Sequence, residues 1–371
     1  MLVIASRFPP ATGPGALRIS KMVRYLPDSG WRPVVLTVAP PSSAGAVTND
    51  ASAWVEPVVA ATIAERLAPL TPLIRAVSRL TSPLGRGTDW WYRGLKWRVE
   101  RLEERLSMPD PGVWRLRRAV RAAQRLHRRW RFDAIYSTGM PFSDHLIAWA
   151  VQRAIRRPWI AEFRDPWVEY AHAPAWRAGW RRRAARLMER AVVRRARCIV
   201  SVSEEMTARF RERYPAVARD RFVTIENGFD PTDFERALND DHGSCGPTEP
   251  RAADCLAECF TPGRFTLFHA GSFYAGRRPE VLVRAFRRFA STDESRRCGA
   301  LLVLCGRMGE HAARLAELAH GLPVVVHDPL PHEQVLACMT RASANVLVMA
   351  DGPGTEGDAS TKLYEYLGAA R

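Results

Sequence analysis

Short apolar runs alternate with helix-periodic segments along most of this chain, and each apolar run ends in a polar loop. The first run, at 2–5, is followed by the Gly13–Gly15 loop, a helix pattern and a second run at Val34 to Val38. Continuous apolar runs of this kind are typical of strands that are buried on both faces. The alternation therefore predicts doubly wound α/β domains with parallel sheets, whose ligands bind at the carboxyl ends of the strands.

The alternation is interrupted in the second half of the chain, and this interruption predicts two domains. Residues 236–262 are polar, rich in Asp, Gly and Pro, and contain no clear strand pattern. We interpret them as a linker with an insertion between an N-terminal domain at 1–235 and a C-terminal domain at 263–371. A length of 371 residues is sufficient for two domains of ordinary size.

The charge is strongly positive and is carried almost entirely by arginine. The net charge is +16, and only Lys21, Lys96 and Lys362 are lysines. A genome rich in arginine codons explains such a bias, and so does a surface that meets anionic lipid, so both interpretations stay open. No recognition motif for DNA or RNA accompanies the charge, and nucleic acid is not an expected partner.

The segment 176–197 predicts a helix with one apolar and one cationic face, because arginines interleave with Trp180 and Leu187. A helix of this kind attaches to an anionic membrane surface, and the region around Trp90 and Trp97 offers a second basic patch. A domain helix that packs on a sheet with a charged exterior has the same pattern. The sequence leaves these two interpretations open.

The sequence carries no signal for membrane insertion, export or metal binding. No apolar stretch reaches the roughly 18 residues of a membrane span, and no basic region or cleavage site marks a signal peptide. The seven cysteines are scattered without a metal-binding spacing. We expect a cytoplasmic protein, with peripheral attachment to the inner face of the plasma membrane as an alternative, and we expect no metal and no cofactor.

Glycines and charged side chains follow several of the predicted strands. The Gly13–Gly15 loop precedes a helix whose N-terminus suits a phosphate, and Arg18 lies one turn into that helix. A second glycine loop at Gly271 is followed by Arg277 and Arg278, whose guanidinium groups suit a diphosphate. A tight turn or a solvated arginine explains each of these features equally simply.

Seven stretches carry a family resemblance when they are taken in order: "FPPATGPGALRISKMVRYLPDSGWRPVVLT", "YSTGMPFSDHLIAWAV", "FRDPW", "VSVSEEM", "IENGFDPTDF", "HAGSFYAGRRPEVLVRAF" and "STKLYEYLGAAR". Along nearly its whole length the chain resembles glycosyltransferase family 4, in its polysaccharide or cell-envelope form. The resemblance implies the GT-B fold, an α/β architecture of two Rossmann-like doubly wound parallel-sheet domains that face each other across a cleft.

The resemblance implies roles for residues of the first domain. In the family the first glycine loop faces the donor sugar and its phosphate, which implicates Gly13, Gly15 and Arg18. A family His near position 145 contacts the donor sugar, so His145 is a candidate, although a lone His is most often structural. Asp165 is expected in the cleft near the acceptor, although an Asp before Pro also fixes a turn.

The resemblance also implies a diphosphate site in the second domain. The family uses an Arg and a Lys after the loop at Gly271, whereas this chain has Arg277 and Arg278, of which we favour Arg278. The start of the closing helix would supply further phosphate contacts, and Lys362 would join Arg278 in stabilising the leaving diphosphate. The candidates at that helix start are Ser360, Thr361 and Lys362.

The family typically carries two Glu eight positions apart, one for the transferred sugar and one for the nucleotide ribose. Glu365 matches the second, but Gly357 stands at the first position. Glu356 and Asp358 flank that position and are the candidates for the sugar contact. Contacts with the base are expected from residues 327–330.

The expected activity is retaining transfer of a sugar from a nucleoside diphosphate sugar to a glycan or lipid-linked acceptor. A nucleotide-sugar-binding protein without transfer activity is the alternative, because the first Glu of the pair is missing. In the family the second domain continues past this helix, whereas this chain stops at Arg371. We therefore expect an incomplete second domain.

Overall fold

The computed structural model describes residues 1–11, 13–38, 54–57, 98, 107–169, 179–239, 256–273, 276–350 and 360–371. These residues form two compact units, unit 1 at Met1–Glu226 and unit 2 at Asn227–Arg371. The division falls ahead of the boundary at 235 that the sequence suggests. Most of the linker predicted at 236–262 lies outside the described residues.

Unit 1 contains a parallel sheet of seven strands in the order β3-β2-β1-β4-β5-β6-β7. The strand order changes direction between β1 and β4, which is the position where doubly wound sheets bind ligands. The central strands are buried along their whole length, in agreement with their continuous apolar sequence. The strands are β1 Leu2–Ile4, β2 Val34–Thr37, β3 Trp54–Pro57, β4 Ile135–Gly139, β5 Trp159–Phe163, β6 Cys198–Ser201 and β7 Phe222–Thr224.

Helices follow the strands of unit 1 and begin where the sequence supplies a start signal. The first helix has Pro14 at a position that needs no backbone N–H, and the fifth is capped by the Ser203 hydroxyl, which accepts from the Met206 amide at 3.3 Å. The helices are α1 Pro14–Tyr25, α2 Leu116–Trp130, α3 Ser143–Ile155, α4 Gly179–Arg195 and α5 Glu204–Arg213.

The α4 helix packs against β5 and α3 within unit 1. Ala185, Val192 and Val193 are fully buried, whereas Trp180 and Leu187 are 62% and 67% exposed. Most of the apolar side of this helix is therefore used in the core, which favours the interpretation of a domain helix with a charged exterior. The basic patch expected around Trp90 and Trp97 lies outside the described residues.

Unit 2 contains a parallel sheet of four strands in the order β10-β9-β8-β11. Alternate residues of its second strand face two different hydrophobic clusters, with Val303 in one and Leu302 and Leu304 in the other. Helices therefore cover both faces of this sheet. The elements are α6 Pro231–Asn239, β8 Thr266–Ala270, α7 Pro279–Ala290, α8 Asp293–Arg297, β9 Leu301–Cys305, α9 Ala312–Ala319, β10 Val324–His327, α10 His332–Arg341, β11 Ala344–Asn345 and α11 Thr361–Ala369.

Candidate functional site

The glycine loop of unit 1 leaves the start of α1 open. Gly13 is the N-cap residue with φ of +112°, and no side chain caps the helix. A Cβ built on Gly13 meets nothing within 4 Å, and the first turn of α1 contains no acidic residue. Pro14 has no N–H and the Ala16 amide donates to the Gly13 carbonyl at 3.1 Å, so the Gly15 amide is the one available for an anion at this helix start, where the sequence predicts a phosphate.

The side chain of Arg164 occupies the space where a side chain at position 15 would lie. A Cβ at Gly15 would lie 1.5 Å from Nη1 of Arg164, so only glycine lets the guanidinium approach the start of α1. Arg164 is held from the other side, because its Nε donates to the Gly139 carbonyl at 2.9 Å and its Nη2 to the Met140 carbonyl at 2.5 Å. This cation adds to the positive potential of the helix N-terminus.

Arg18 makes a buried ion pair. Its Nε and Nη2 lie 3.0 and 2.9 Å from Oε1 of Glu162, and the two side chains are 8% and 0% exposed. Nη1 and Nη2 also donate to the carbonyls of Glu226 and Ile225 at 2.6 and 2.7 Å. Arg18 is therefore not a solvated side chain, and its guanidinium is not free to bind an anion. It connects α1 with β5 and with the end of unit 1.

His145 is fully buried at the start of α3. The Trp159 indole donates to the Ser137 hydroxyl at 2.8 Å, and that hydroxyl lies 2.9 Å from Nδ1 of His145. Burial lowers the pKa of His145 to about 3, with a further contribution from Arg164, so the imidazole is neutral at physiological pH.

Nε2 of His145 has no hydrogen-bond partner among the described residues. It points toward the carboxyl end of β4, because a Cβ at Gly139 would lie 2.7 Å from it. The structure therefore brings His145 to the predicted edge of the sheet but encloses it. Its contact with a donor sugar stays a prediction, as does a role for the half-buried Asp165 beyond β5.

A second buried carboxyl group, which sequence reasoning missed, joins β1 to α3. Asp144 accepts from the amide of Ser6 at 2.7 Å and from the hydroxyl of the same serine. Burial raises the pKa of Asp144 to about 6, although the charge of Arg115 and the hydrogen bonds from Ser6 oppose that shift. Because Asp144 is adjacent to His145, it fixes the position of the helix that carries the histidine.

Unit 1 is expected to lose stability as the Asp144 carboxyl ionises. Its folded pKa of about 6 exceeds the ordinary value of 3.8, so the folded state binds this proton more tightly. Below about pH 4 the proton on Asp144 stabilises the folded state by about 3 kcal/mol, and this stabilisation is lost as the pH rises through about 6. Urea unfolding of the wild type and of Asp144→Asn between pH 4 and 7 measures this difference. The exposed control Asp28→Asn should follow the wild type, and parallel curves for Asp144→Asn would contradict the expectation.

In unit 2, two loops meet where β8 and β9 end. A Cβ built on Gly306 would lie 2.1 Å from the carbonyl oxygen of Gly271, so the two backbones touch. Both glycines have positive φ, +157° at Gly271 and +150° at Gly306. The predicted glycine loop after β8 is therefore supported by a second loop, which the sequence did not single out.

The imidazole of His269 lies against the loop at Gly271. Nδ1 of His269 lies 2.9 Å from the Val346 carbonyl, and its Nε2 lies 3.5 Å from a Cβ built on Gly271. Burial lowers the pKa of His269, the hydrogen bond to Val346 opposes this shift, and the charges of Arg277 and Lys362 add to it. Arg278 is exposed at the N-cap of α7.

Glu365 uses both carboxylate oxygens within unit 2. Oε1 lies 3.0 Å from Nε2 of His332, and Oε2 accepts from Nζ of Lys362 at 2.6 Å. Burial alone would raise the pKa of Glu365, but the hydrogen bond from His332 and the charge of Lys362 outweigh it, and the pKa is lowered. Glu365 is therefore ionised near neutral pH and lies beside the start of α11.

The remaining predicted residues of unit 2 are placed only in part. Ser360 is the N-cap residue of α11 and Thr361 its first residue, and no side chain caps this helix. Glu356, like Asp358, lies outside the described residues. In the part of the chain that the structure describes, no group of three or more His, Cys, Asp or Glu is arranged to hold a metal.

Comparison with known proteins identifies the family. The glycosyl transferase 4-like domain family matches residues 13–228, which is more than half of the chain. The chain belongs to this family. A search of curated proteins found no match.

Solved structures resemble this glycosyl transferase 4-like chain over nearly its whole length. Sucrose-phosphate synthase from Thermosynechococcus elongatus is 15% identical with a TM-score of 0.60, over 93% of this chain and 74% of that chain. A UDP-forming α,α-trehalose-phosphate synthase from Burkholderia xenovorans in complex with glucose-6-phosphate is 12% identical with a TM-score of 0.61, over 99% and 82%. A trehalose-6-phosphate structure from E. coli bound with UDP-2-fluoro glucose is 11% identical with a TM-score of 0.58, over 99% and 81%.

At these identities the likeness shows the fold. The glycosyl transferase 4-like chain has the GT-B fold, with two Rossmann-like parallel-sheet units, which confirms the predicted fold class. Membership of the family supports glycosyl transfer as its activity. No helix among its described residues is both long and apolar enough to cross a membrane.

Proposed function

We propose that this chain is a retaining glycosyltransferase that moves a sugar from a nucleoside diphosphate sugar to a glycan or lipid-linked acceptor. The carrying observation is membership of the glycosyl transferase 4-like family, together with the carboxylate of Glu365 that Lys362 holds at 2.6 Å beside the start of α11. A diphosphate at this helix start would meet Lys362 and backbone amides that no side chain caps.

The proposed chemistry requires stabilisation of a leaving diphosphate. The bond between the anomeric carbon of the sugar and the diphosphate oxygen breaks, and the acceptor hydroxyl forms the new bond on the same face. The hydroxyl proton passes to the departing diphosphate. Fixed positive charges stabilise the negative charge that develops on the leaving group, which is the role we assign to Arg278 and Lys362. No enzyme nucleophile, metal or cofactor is part of this proposal.

Arg277 and Arg278 both stay candidates for the diphosphate ligand, and we keep the preference for Arg278. The charge of Arg277 acts on His269, whereas the charge of Arg278 acts on Glu280, whose pKa it helps to lower. The two arginines thus act on different groups, although they are adjacent in sequence. We assign the ribose hydroxyls to Glu365, because its ionised carboxylate accepts hydrogen bonds and already lies beside Lys362.

In unit 1 we keep the donor-phosphate role that the family resemblance implies for the start of α1, and we add Arg164 to it. The Gly15 amide and the adjacent guanidinium suit a phosphate group. The exposed Trp180 and Leu187 on α4, set among arginines, support peripheral attachment to an anionic membrane that carries a lipid-linked acceptor. A sugar phosphate is the second candidate acceptor, because a similar structure holds glucose-6-phosphate.

Calorimetric titration with UDP, GDP and ADP tests the donor site, and UDP comes first because a similar structure binds a UDP-sugar analogue. We expect Glu365→Gln to weaken binding of the preferred nucleotide about 100-fold, since a charged hydrogen bond contributes about 1.5–3 kcal/mol. Glu333→Gln is the matched control, because Glu333 is exposed on the neighbouring α10.

A wild-type chain that binds none of the three nucleotides would contradict the proposed donor site. Binding without release of nucleotide from any nucleoside diphosphate sugar, in the presence of candidate acceptors, would favour the alternative of a nucleotide-sugar-binding protein. Equal losses of nucleotide affinity in Glu365→Gln and Glu333→Gln would contradict the role of Glu365 but not the donor site.

A further inference from the structure

Unit 1 has an arginine-lined cavity at the edge of its sheet opposite to the glycine loop. Its volume is about 680 Å³, which is within the range of small-molecule sites. The cavity lies where β5, β6 and β7 begin, whereas Gly13 and Arg164 follow the carboxyl ends of β1 and β5. It is therefore separate from the sites described above.

The positive charge of the cavity follows from chain connections. Helix α3 leads into β5 through residues 156–158, and α4 leads into β6 through residues 196–197. Because β5 and β6 are parallel neighbours, both connections reach the same edge of the sheet. Each connection is basic and is preceded by a basic last helical turn. Six exposed arginines line the cavity as a result: Arg153, Arg156, Arg157, Arg194, Arg195 and Arg197.

These six charges lack neutralisation by acidic groups. No carboxylate lines the cavity, and among the described residues none of the six arginines forms an ion pair. Arg195 lies over the ring of Trp149 at 5.7 Å from its centroid, which orients the guanidinium without removing its charge. Six like charges around one concavity repel each other, and a bound anion relieves that repulsion.

The seventh arginine of the cavity has a structural role. Nη2 of Arg221 donates to the carbonyls of Val193 and Arg194 at 3.0 and 3.3 Å and to that of Ala196. It thereby satisfies the carboxyl end of α4, whose carbonyls would otherwise offer partial negative charge to the other arginines. The six exposed guanidinium groups therefore remain available for a ligand.

We propose that this cavity binds a phosphate-bearing ligand with at least two negative charges, at a site distinct from the donor site. Guanidinium groups bind phosphate oxygens through paired, charge-assisted hydrogen bonds, and a concave arrangement lets several arginines contact one such group. The phosphate belongs either to a small soluble molecule or to an anionic lipid headgroup at a membrane surface.

The test compares Arg153→Gln/Arg194→Gln/Arg197→Gln with a control that removes the same charge from unit 2. The control is Arg284→Gln/Arg288→Gln/Arg297→Gln, because these arginines are exposed and form no ion pair among the described residues. The probes are inorganic pyrophosphate, followed by calorimetry at low ionic strength, and phosphatidylglycerol vesicles, followed by co-sedimentation. Circular dichroism checks that each protein is folded.

We expect the cavity variant to lose one class of pyrophosphate site, with about 100-fold weaker binding, while the control keeps it. Loss of vesicle binding in the cavity variant alone, with pyrophosphate binding unchanged, assigns the site to a lipid headgroup. If both variants lose pyrophosphate binding and vesicle binding equally, the proposal is overturned, because the overall positive charge then explains the binding. Nucleotide binding should be unchanged in the cavity variant, so this test is independent of the proposed donor site.

Discussion

Replacement of Gly306 by alanine is expected to destabilise unit 2 by about 4 kcal/mol. The new Cβ would lie 2.1 Å from the carbonyl oxygen and 2.5 Å from the carbonyl carbon of Gly271, and both atoms belong to the backbone. A backbone neighbour cannot rotate away as a flexible side chain can. Overpacking costs roughly 1–3 kcal/mol, and a residue other than glycine at a φ of +150° adds roughly 1–3 kcal/mol.

The control for this prediction is Gly299→Ala in the same unit. Gly299 also has positive φ, +58°, but a Cβ there meets nothing within 4 Å. Its substitution should therefore cost only about 1 kcal/mol from the left-handed backbone. Urea unfolding of both variants gives the two free energies. If Gly306→Ala is as stable as Gly299→Ala, the loops after β8 and β9 do not approach each other as closely as described.

Gly306→Ala is also expected to affect the proposed donor site. Relief of the contact requires one of the two loops to move, and the loop at Gly271 precedes the candidate diphosphate ligands Arg277 and Arg278. We expect Gly306→Ala to weaken nucleotide binding even at temperatures where unit 2 is folded, whereas Gly299→Ala should bind like the wild type.

The strands were predictable because burial on both faces of a parallel sheet gives a continuous apolar run. The run at 34–38 became β2 at Val34–Thr37, and "RCIVSVS" contains β6 at Cys198–Ser201. The glycine loops were equally visible, since Gly271 directly follows β8 and Gly13 directly precedes α1. At the strands and at these glycines, the type of residue is sufficient to predict the local structure.

The partners of the charged side chains were not predictable from the sequence. Arg18 and Glu162 are 144 residues apart, and nothing in either segment indicates the other. The same holds for Gly15, which looks like a phosphate-binding glycine although Arg164 occupies the space beside it. A sequence shows that an arginine lies near a strand end, but the packing of helices on the sheet decides which group it meets.

Adjacent residues show the same limit at shorter range. Arg277 and Arg278 are equivalent in the sequence, which does not decide between them as diphosphate ligands. The helix start at Pro279 makes Arg278 an exposed N-cap residue, and the charges of the two arginines act on different groups, His269 and Glu280. The direction of each side chain depends on backbone angles at the loop, which residue types alone do not determine.

Removal of the Glu162 carboxylate is expected to destabilise unit 1 by about 4 kcal/mol. Glu162 is fully buried, and its Oε1 pairs with Arg18 while its Oε2 accepts from Oγ1 of Thr138 at 2.5 Å. In Glu162→Ala the Arg18 guanidinium, which is 8% exposed, stays in the interior without its carboxylate. Breaking a buried pair in this way costs roughly 3–5 kcal/mol, because the remaining charge is desolvated and the carbonyls of Ile225 and Glu226 do not replace the carboxylate.

A double-mutant cycle separates this ion pair from general packing. Arg18→Met and Glu162→Leu, the two single variants of the cycle, should each destabilise unit 1, because each leaves one charge buried without its partner. The double variant Arg18→Met/Glu162→Leu should recover most of the loss, since neither charge then remains in the interior. Urea unfolding followed by circular dichroism gives the four free energies, and the coupling between the two sites should be about 3 kcal/mol.

The ion pair of Arg18 and Glu162 also affects the position of α1. Arg18 holds α1 against β5 and also donates to the carbonyls of Ile225 and Glu226. The helix whose start we assign to a phosphate group is thus fixed by a contact one turn away from that start. Additive single-variant costs, with no recovery in the double variant, would show that packing alone holds α1 in place and that the ion pair contributes nothing specific.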